Sequence, residues 1–158
     1  MSIDADLFRA VLGRFATGIS VVTVVDHDGR DHGMTVNAFS SLSLAPPLVL
    51  ICIANDATMA PVIRGVQTFS VNILSDEQEA LSRRFAGRLD DRFADLPSTR
   101  GLLGNALLNG ALAHVECRIV AGHDAGDHVI IVGQVEAGAA RDARPLLYYR
   151  GGYAALER

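Results

Sequence analysis

At 158 residues the chain has the length of a single domain with a full core. Its net charge of −4 is scattered rather than gathered into runs, which argues against nucleic acid, whose affinity rests on phosphate neutralisation. No apolar run approaches the roughly 20 residues of a membrane span, and all 14 basic residues are arginine, so lysine-based Schiff-base, Walker-loop and anchored-cofactor chemistry is excluded.

Residues 1–6 are acidic rather than basic, unlike a secretory signal, so the expected location is the cytoplasm. Leu7, Phe8, Val11, Leu12 and Phe15 recur at spacings of three and four, predicting a helix over residues 4–16 stopped near Gly18. Ile19 to Val25 is a β-branched strand, and Asp28-Gly29 turns it into a return strand around residues 31–38. The stretch 33–58 then sets a polar, small-residue segment beside an apolar strand, Leu48 to Ile53, with Pro46 and Pro47 at the join. That strand reads as buried on both faces. A second polar cluster, Asn55 to Thr58, follows it, and a short helix starts at Thr58 with Pro61 in its first turn.

Thr68 to Leu74 is the next strand, and Ser75 with Gln78 makes a capping box for a helix through about Phe85. Residues 87–110 show no sustained period and read as a long irregular connection. Ala111 to Ala121 and His128 to Ala137 are long strands joined by residues 122–127, and Leu146 to Tyr149 is a last short strand leading into Arg150-Gly151-Gly152-Tyr153. The tally is six or seven mostly antiparallel strands with two or three helices, an α+β, mainly β barrel formed by one domain over residues 1–158.

The chemistry is bounded by what is missing. There is no Gly-x-Gly-x-x-Gly, Walker loop or Gly-x-Ser-x-Gly elbow, no metal-ligand spacing, and no catalytic triad or dyad. Cys52 and Cys117 lie in apolar runs and read as buried free thiols. The two polar clusters flanking one apolar strand suit a ligand with an apolar ring system and an anionic tail. The core of a soluble barrel gives the same alternation for packing reasons alone.

Several segments together resemble one family. Gly13-Arg14-Phe15-Ala16-Thr17-Gly18 and the strand after it, the block Thr35 to Val49, Phe69 to Leu74, Arg83 to Gly87, Gly126-Asp127-His128 and Leu147 to Tyr153 are similar, in one collinear order, to the short-chain flavin reductases with an FMN-binding split barrel. The resemblance implies a homodimeric oxidoreductase that moves a hydride from NADH or NADPH to FMN or FAD, often as the small reductase of a two-component monooxygenase. The mean hydropathy of +0.25 also fits surface buried against a second copy.

Residue by residue, the resemblance implies that main-chain groups of Thr35, Val36 and Asn37 hold the isoalloxazine edge. Ser40, Ser41, Ala54, Asn55 and Thr58 hold the ribityl phosphate, with Arg84 adding charge and Phe85 and Ala86 lying nearby. Asn55 departs from the lysine of some relatives. His128 is implied as the catalytic-site residue that steers the nicotinamide, with Tyr149, Arg150, Gly151 and Tyr153 holding the rest of the dinucleotide; no metal is implied. Read from the residues alone, other roles stay open. Ser40 and Ser41 can satisfy a strand end. Thr58 can be a plain N-cap. Arg84 can be a solvated helix residue, and Asn37 and Asn72 can be satisfied polar groups in a barrel. His128 can be structural, and residues 148–153 can be an aromatic cluster at a subunit boundary.

Hydride transfer to a flavin needs no general acid or covalent nucleophile from the protein, which fits the missing triad. Two rival functions remain at this level. One is a split-barrel flavoprotein that holds FMN tightly and oxidises another substrate. The other is a flavin-binding module without catalysis.

Overall fold

A computed structural model of the chain describes residues 2–157. Helix α1 (Ala5–Leu12) is opened by Asp4, whose Oδ1 accepts the Asp6 and Leu7 amides. It ends four residues earlier than the periodicity predicts. Arg14 and Phe15 donate three residues back rather than four, and the chain then extends so that β1 (Thr17–Gly18) can pair with Leu147 and Tyr148.

Strands β2 (Ser20–Val25) and β3 (Asp31–Val36) form the expected hairpin, with Gly29 at φ 79° in its turn. The polar segment that follows is itself a strand, β4 (Phe39–Leu44), antiparallel to β5 (Pro47–Ala54). Helix α2 (Met59–Gly65) leads to β6 (Thr68–Ile73). A 3-10 turn at Asp76–Gln78 then opens α3 (Glu79–Ala86), and the Ser75 amide donates to Gln78 Oε1 as a capping box requires.

The long antiparallel pair β9 (Ala113–Ala125) and β10 (His128–Ala140) runs further than the sequence suggests. Residues 122–125 belong to β9, so the expected six-residue loop shrinks to the turn at Gly126-Asp127. Gly and Asp at these positions mask the strand in a propensity reading, and the ladder with β10 overrides it. The final segment is also a hairpin, β11 (Leu146–Tyr149) with β12 (Gly152–Ala155), the second strand being hidden behind Gly151 and Gly152.

Seven strands make one antiparallel sheet in the order β3-β2-β6-β9-β10-β5-β4. The edge strands β3 and β4 are joined only by Asn37 and Ala38. A flat sheet would hold its edges about 29 Å apart, whereas the link spans at most about 11 Å. The sheet must therefore roll into a barrel, and the Cys52 amide on β5 donates to the Ala38 carbonyl across the join.

Inside the barrel, Val22, Val24, Ile51, Ile53, Phe69, Val71, Val129 and Ile131 pack with Met59 and Ile63 of α2. Ile19, Val21, Leu74, Phe85, Leu108 and Leu146 form a second cluster outside β2. The strands buried on both faces are thus β2 and β6, not β5 as expected. In β5 only Val49, Ile51 and Ile53 are buried, and Leu48, Leu50, Cys52 and Ala54 on the other face are only partly covered by the described residues.

Residues 87–110 are not wholly irregular. β7 (Ser98–Arg100) and β8 (Ala106–Leu108) pair and are fastened by buried polar groups. The Thr23 hydroxyl donates to the Ala106 carbonyl, and Asn72 and Asn105 side-chain oxygens accept the Leu108 and Val25 amides. Such polar docking leaves no hydrophobic period to read. Among the described residues no helix is long and apolar enough to cross a membrane.

Candidate functional site

β3 is an edge strand, so one side of its backbone is free of the ladder around Thr35 and Val36; Asn37 follows the end of the strand, its carbonyl accepting the Phe39 amide at 2.9 Å. The Thr35 hydroxyl donates to the Ser82 carbonyl at 2.6 Å, which ties the strand to α3. The Ser82 hydroxyl in turn pairs with the Tyr153 hydroxyl at 2.8 Å, and the Arg83 guanidinium sits 4.7 Å from the centre of the Tyr153 ring. Thr35, α3 and Tyr153 are therefore one connected unit. Val36 is buried, whereas Asn37 is exposed and lines a cleft of about 300 Å³ with Phe15, Thr17, Ser20 and Phe39.

The close packing of β3 on α3 depends on Gly33. A Cβ there would lie 2.4 Å from Cε1 of Phe85 and 3.1 Å from Cζ of Phe93. The two rings meet edge to face at 5.0 Å. Phe85 is fully buried beneath the strand and offers no surface to a ligand, while Ala86 is exposed. Arg84 is not a solvated helix residue: its Nε donates to the Arg92 carbonyl at 2.6 Å and Nη2 to that of Ala94, which anchors the segment after α3.

A second group gathers where β5 meets β10. Ala54 lies opposite His128 in the ladder, and the Asn55 amide donates to the Asp127 carbonyl at 2.9 Å. His128 Nδ1 is 2.6 Å from Asp127 Oδ1, and this bond to the imidazole holds the Asp127 carboxyl below its ordinary range. Arg64 Nη2 bridges Asn55 Oδ1 at 3.0 Å and Asp124 Oδ1 at 2.6 Å, so a guanidinium stands beside the uncharged Asn55. Thr58 is exposed at the start of α2 with no capping bond from its side chain, so it is not the plain N-cap. Ser40 and Ser41 are exposed on β4, the Ser40 hydroxyl donating to the Ser41 carbonyl beside a bulge.

Tyr149, Arg150 and Gly151 make the exposed turn of the β11–β12 hairpin, with Arg150 at φ 52° and Gly151 at φ 78°. The Arg150 amide donates to the Gly13 carbonyl. His128 belongs to the seven-stranded sheet and this turn to the three-stranded one, and among the described residues no hydrogen bond joins them within the chain.

One cleft was not legible in the sequence. It measures about 570 Å³ and lies between the start of β3 (Asp31, His32, Gly33), the start of α2 (Asp56, Thr58, Met59) and residues 88–93. No local motif marks His32, which pairs with Asp26 across the hairpin turn centred on Asp28-Gly29. Among the described residues no cluster of three His, Cys, Asp or Glu has metal-binding geometry.

Comparison with known proteins bears directly on this arrangement. The family model described as flavin reductase like domain matches residues 12–157. The reductase subunit HsaB of a flavin-dependent monooxygenase from Rhodococcus jostii is 41% identical over 157 residues, covering 99% of this chain and 80% of the relative. An NADH-dependent flavin reductase from a Rhodococcus species is 44% identical over 151 residues, covering 94% of this chain and 85% of the relative. The crystal structure of the NADH:FAD oxidoreductase SgcE6 from Streptomyces globisporus, in complex with NAD and FAD fragments, superposes with a TM-score of 0.92 at 36% identity, over 99% of this chain and 97% of that one.

Proposed function

The chain belongs to the flavin reductase like family, and on that premise we propose that it is an NADH- or NADPH-dependent flavin reductase that reduces FMN or FAD for a separate monooxygenase. The observation that carries the reading is the free backbone edge of β3 at Thr35 and Val36, followed in the chain by exposed hydroxyls and amides at Asn37, Ser40, Ser41, Asn55 and Thr58. Unpaired strand groups suit the polar edge of a flat ring, and Ser40, Ser41, Asn55 and Thr58 suit a hydroxylated, phosphorylated tail. The donors present therefore fit a flavin.

A bound flavin would supply the redox chemistry, as hydride acceptor and electron carrier. The protein's task is binding and orientation. Main-chain groups of Thr35, Val36 and Asn37 hold the ring edge, and the Thr35–Ser82–Tyr153 chain keeps that edge rigid. Ser40, Ser41, Ala54, Asn55 and Thr58 line the tail. Arg84, Phe85 and Ala86 shape the site from α3. His128, oriented by Asp127, contacts the nicotinamide together with Tyr149, Arg150, Gly151 and Tyr153.

Because His128 and the Tyr149–Tyr153 turn lie in different sheets, the pairing is best completed by a second copy of the chain. Helix α1 supports that reading: it buries none of its own residues, and Leu7, Phe8, Val11, Leu12 and Phe15 are half or more exposed. A homodimer covering them is the expected state, and light scattering tests it. Two free cysteines and a nicotinamide substrate suit the cytoplasm.

The test of function is oxidation of NADH and NADPH followed by the loss of reduced-nicotinamide absorbance with FMN, FAD and riboflavin in turn. Turnover with at least one flavin is expected. Flavin binding without any nicotinamide oxidation would leave only a binding module.

A further inference from the structure

The far end of the β9–β10 pair is poorly supported by the sheet itself. β6 pairs with β9 only as far as Arg118, with one more bond from the Ile119 amide to the Gln67 carbonyl. Residues 121–125 of β9 therefore have β10 alone beside them. Packing does not make up the difference. Between α2 and this end of the pair lies a crevice of about 260 Å³, lined by Ile63, Val66, Ile119, Gly122 and Ile131. Arg64 and Asp124 line it too, and Arg64 Nη2 donates across it to Asp124 Oδ1 at 2.6 Å.

The same nitrogen donates to Asn55 Oδ1 at 3.0 Å. Its helix is a firm base, because Met59, Ala60 and Ile63 of α2 are buried in the barrel core. Asn55 in turn gives its amide to the Asp127 carbonyl at 2.9 Å, and Asp127 Oδ1 lies 2.6 Å from His128 Nδ1. One guanidinium thus joins α2, the end of β5 and the β9–β10 turn around the residue assigned to the nicotinamide.

We propose that Arg64, paired with Asp124, is a positioning residue for flavin reduction: it fixes the β9–β10 turn against the end of β5 and so sets where His128 meets the nicotinamide. It acts through His128 rather than by contact with either substrate. The inference rests on the flavin reductase reading. The Arg64 and Asp124 side chains are 42% and 73% exposed, so their pairing adds little to global stability. Hydride transfer is far more sensitive to placement, since a shift of about 1 Å can cost about 100-fold in rate. Loss of the pair should therefore show in local opening and in transfer before it shows in unfolding.

Two measurements test it, amide hydrogen exchange of the flavin-free protein and stopped-flow reduction of bound FMN at saturating NADH. Arg64→Ala is expected to speed exchange of the Asn55 amide and of residues 121–128 about tenfold, with β2 and β6 unchanged. The same variant should slow reduction about five- to tenfold while the urea midpoint hardly moves. Arg64→Lys should regain part of both, because both contacts come from one nitrogen and an ammonium offers three donors. Asp124→Ala, at a more exposed side chain, gives the same two readings should Arg64→Ala fold poorly. In a His128→Ala background, Arg64→Ala should slow reduction by less than about twofold more, as expected of residues acting in one chain. Wild-type reduction rates in both Arg64→Ala and Asp124→Ala overturn the proposal, even where exchange is faster. Slower reduction with unchanged exchange, or an equal loss in the His128→Ala background, overturns it in favour of direct substrate contact. In each of these cases the reductase reading stands. Wild-type protein that oxidises neither NADH nor NADPH with any flavin overturns the reductase reading and the proposal with it.

Discussion

Replacing Gly33 with Ala tests whether the ligand edge of β3 is held by the aromatic pair beneath it. The added methyl would sit 2.4 Å from Cε1 and 2.7 Å from Cδ1 of Phe85, where ordinary carbon contacts are about 3.5–4.0 Å. Relief requires a movement of about 1 Å by either the strand or the ring. The ring has little room: Phe85 is fully buried and meets Phe93 edge to face at 5.0 Å. Overpacking of this kind costs about 1–3 kcal/mol. Phe85→Leu alone removes part of the ring at a cost of about 1–2 kcal/mol, within the range for trimming a buried side chain, and frees the space the methyl needs. The double variant should therefore be at least about 1 kcal/mol more stable than the sum of the single effects predicts. Urea unfolding of the four proteins in a double-mutant cycle measures that coupling. FMN affinity should fall in Gly33→Ala and recover in the double variant, since the strand edge returns to its place. A Gly33→Ala protein within about 0.5 kcal/mol of wild type, or strict additivity in the cycle, would refute the packing argument.

Asn37→Ala combined with Thr58→Ala should weaken FMN binding by about 0.5–1.5 kcal/mol per lost hydrogen bond, and up to about 3 at the phosphate, without unfolding the protein; fluorescence quenching checks it. His128→Ala should slow flavin reduction or raise the KM for NADH by about 10- to 100-fold, with FMN affinity changed less than about threefold, as stopped-flow reduction would reveal. Asp26, held down to about 2, should stabilise the β2–β3 hairpin fully above the unfolded carboxylate pKa near 3.9, and that contribution should vanish as pH falls through about 2. The Tm difference between wild type and Asp26→Asn should accordingly shrink from pH 5 towards pH 2. Cys117, fully buried with its thiol pushed up to about 12 mainly by desolvation, should resist alkylation until the protein unfolds, whereas half-buried Cys52 should react first in a mass-spectrometric time course.

What the sequence disclosed and what it hid follow one physical division. Elements whose signal is apolar periodicity were legible: β2, the β2–β3 hairpin, β6, α3 with its capping box, and β11 all lie where Val, Ile and Leu spacing and turn residues predict them. Elements stabilised by non-local polar contacts were not. β7 and β8 are three residues each and are held through Thr23 and Asn72 and through the bond from the Val25 amide to Asn105, contacts spanning up to 83 positions, so no local window contains their cause. The same division governs the candidate site. Thr35 to Thr58 was visible as a cluster because its residues are neighbours in sequence. The link from Thr35 through Ser82 to Tyr153, and the meeting of His32 with Thr58 and Arg88, arise only when the rolled sheet brings β3 against α2 and α3. β5 shows the converse limit. Its run of Leu48 to Ile53 reads as buried twice over, yet one chain covers only alternate residues. The apolar pattern of β5 and of α1 thus exceeds what the described chain buries, and the homodimer proposed above would cover both.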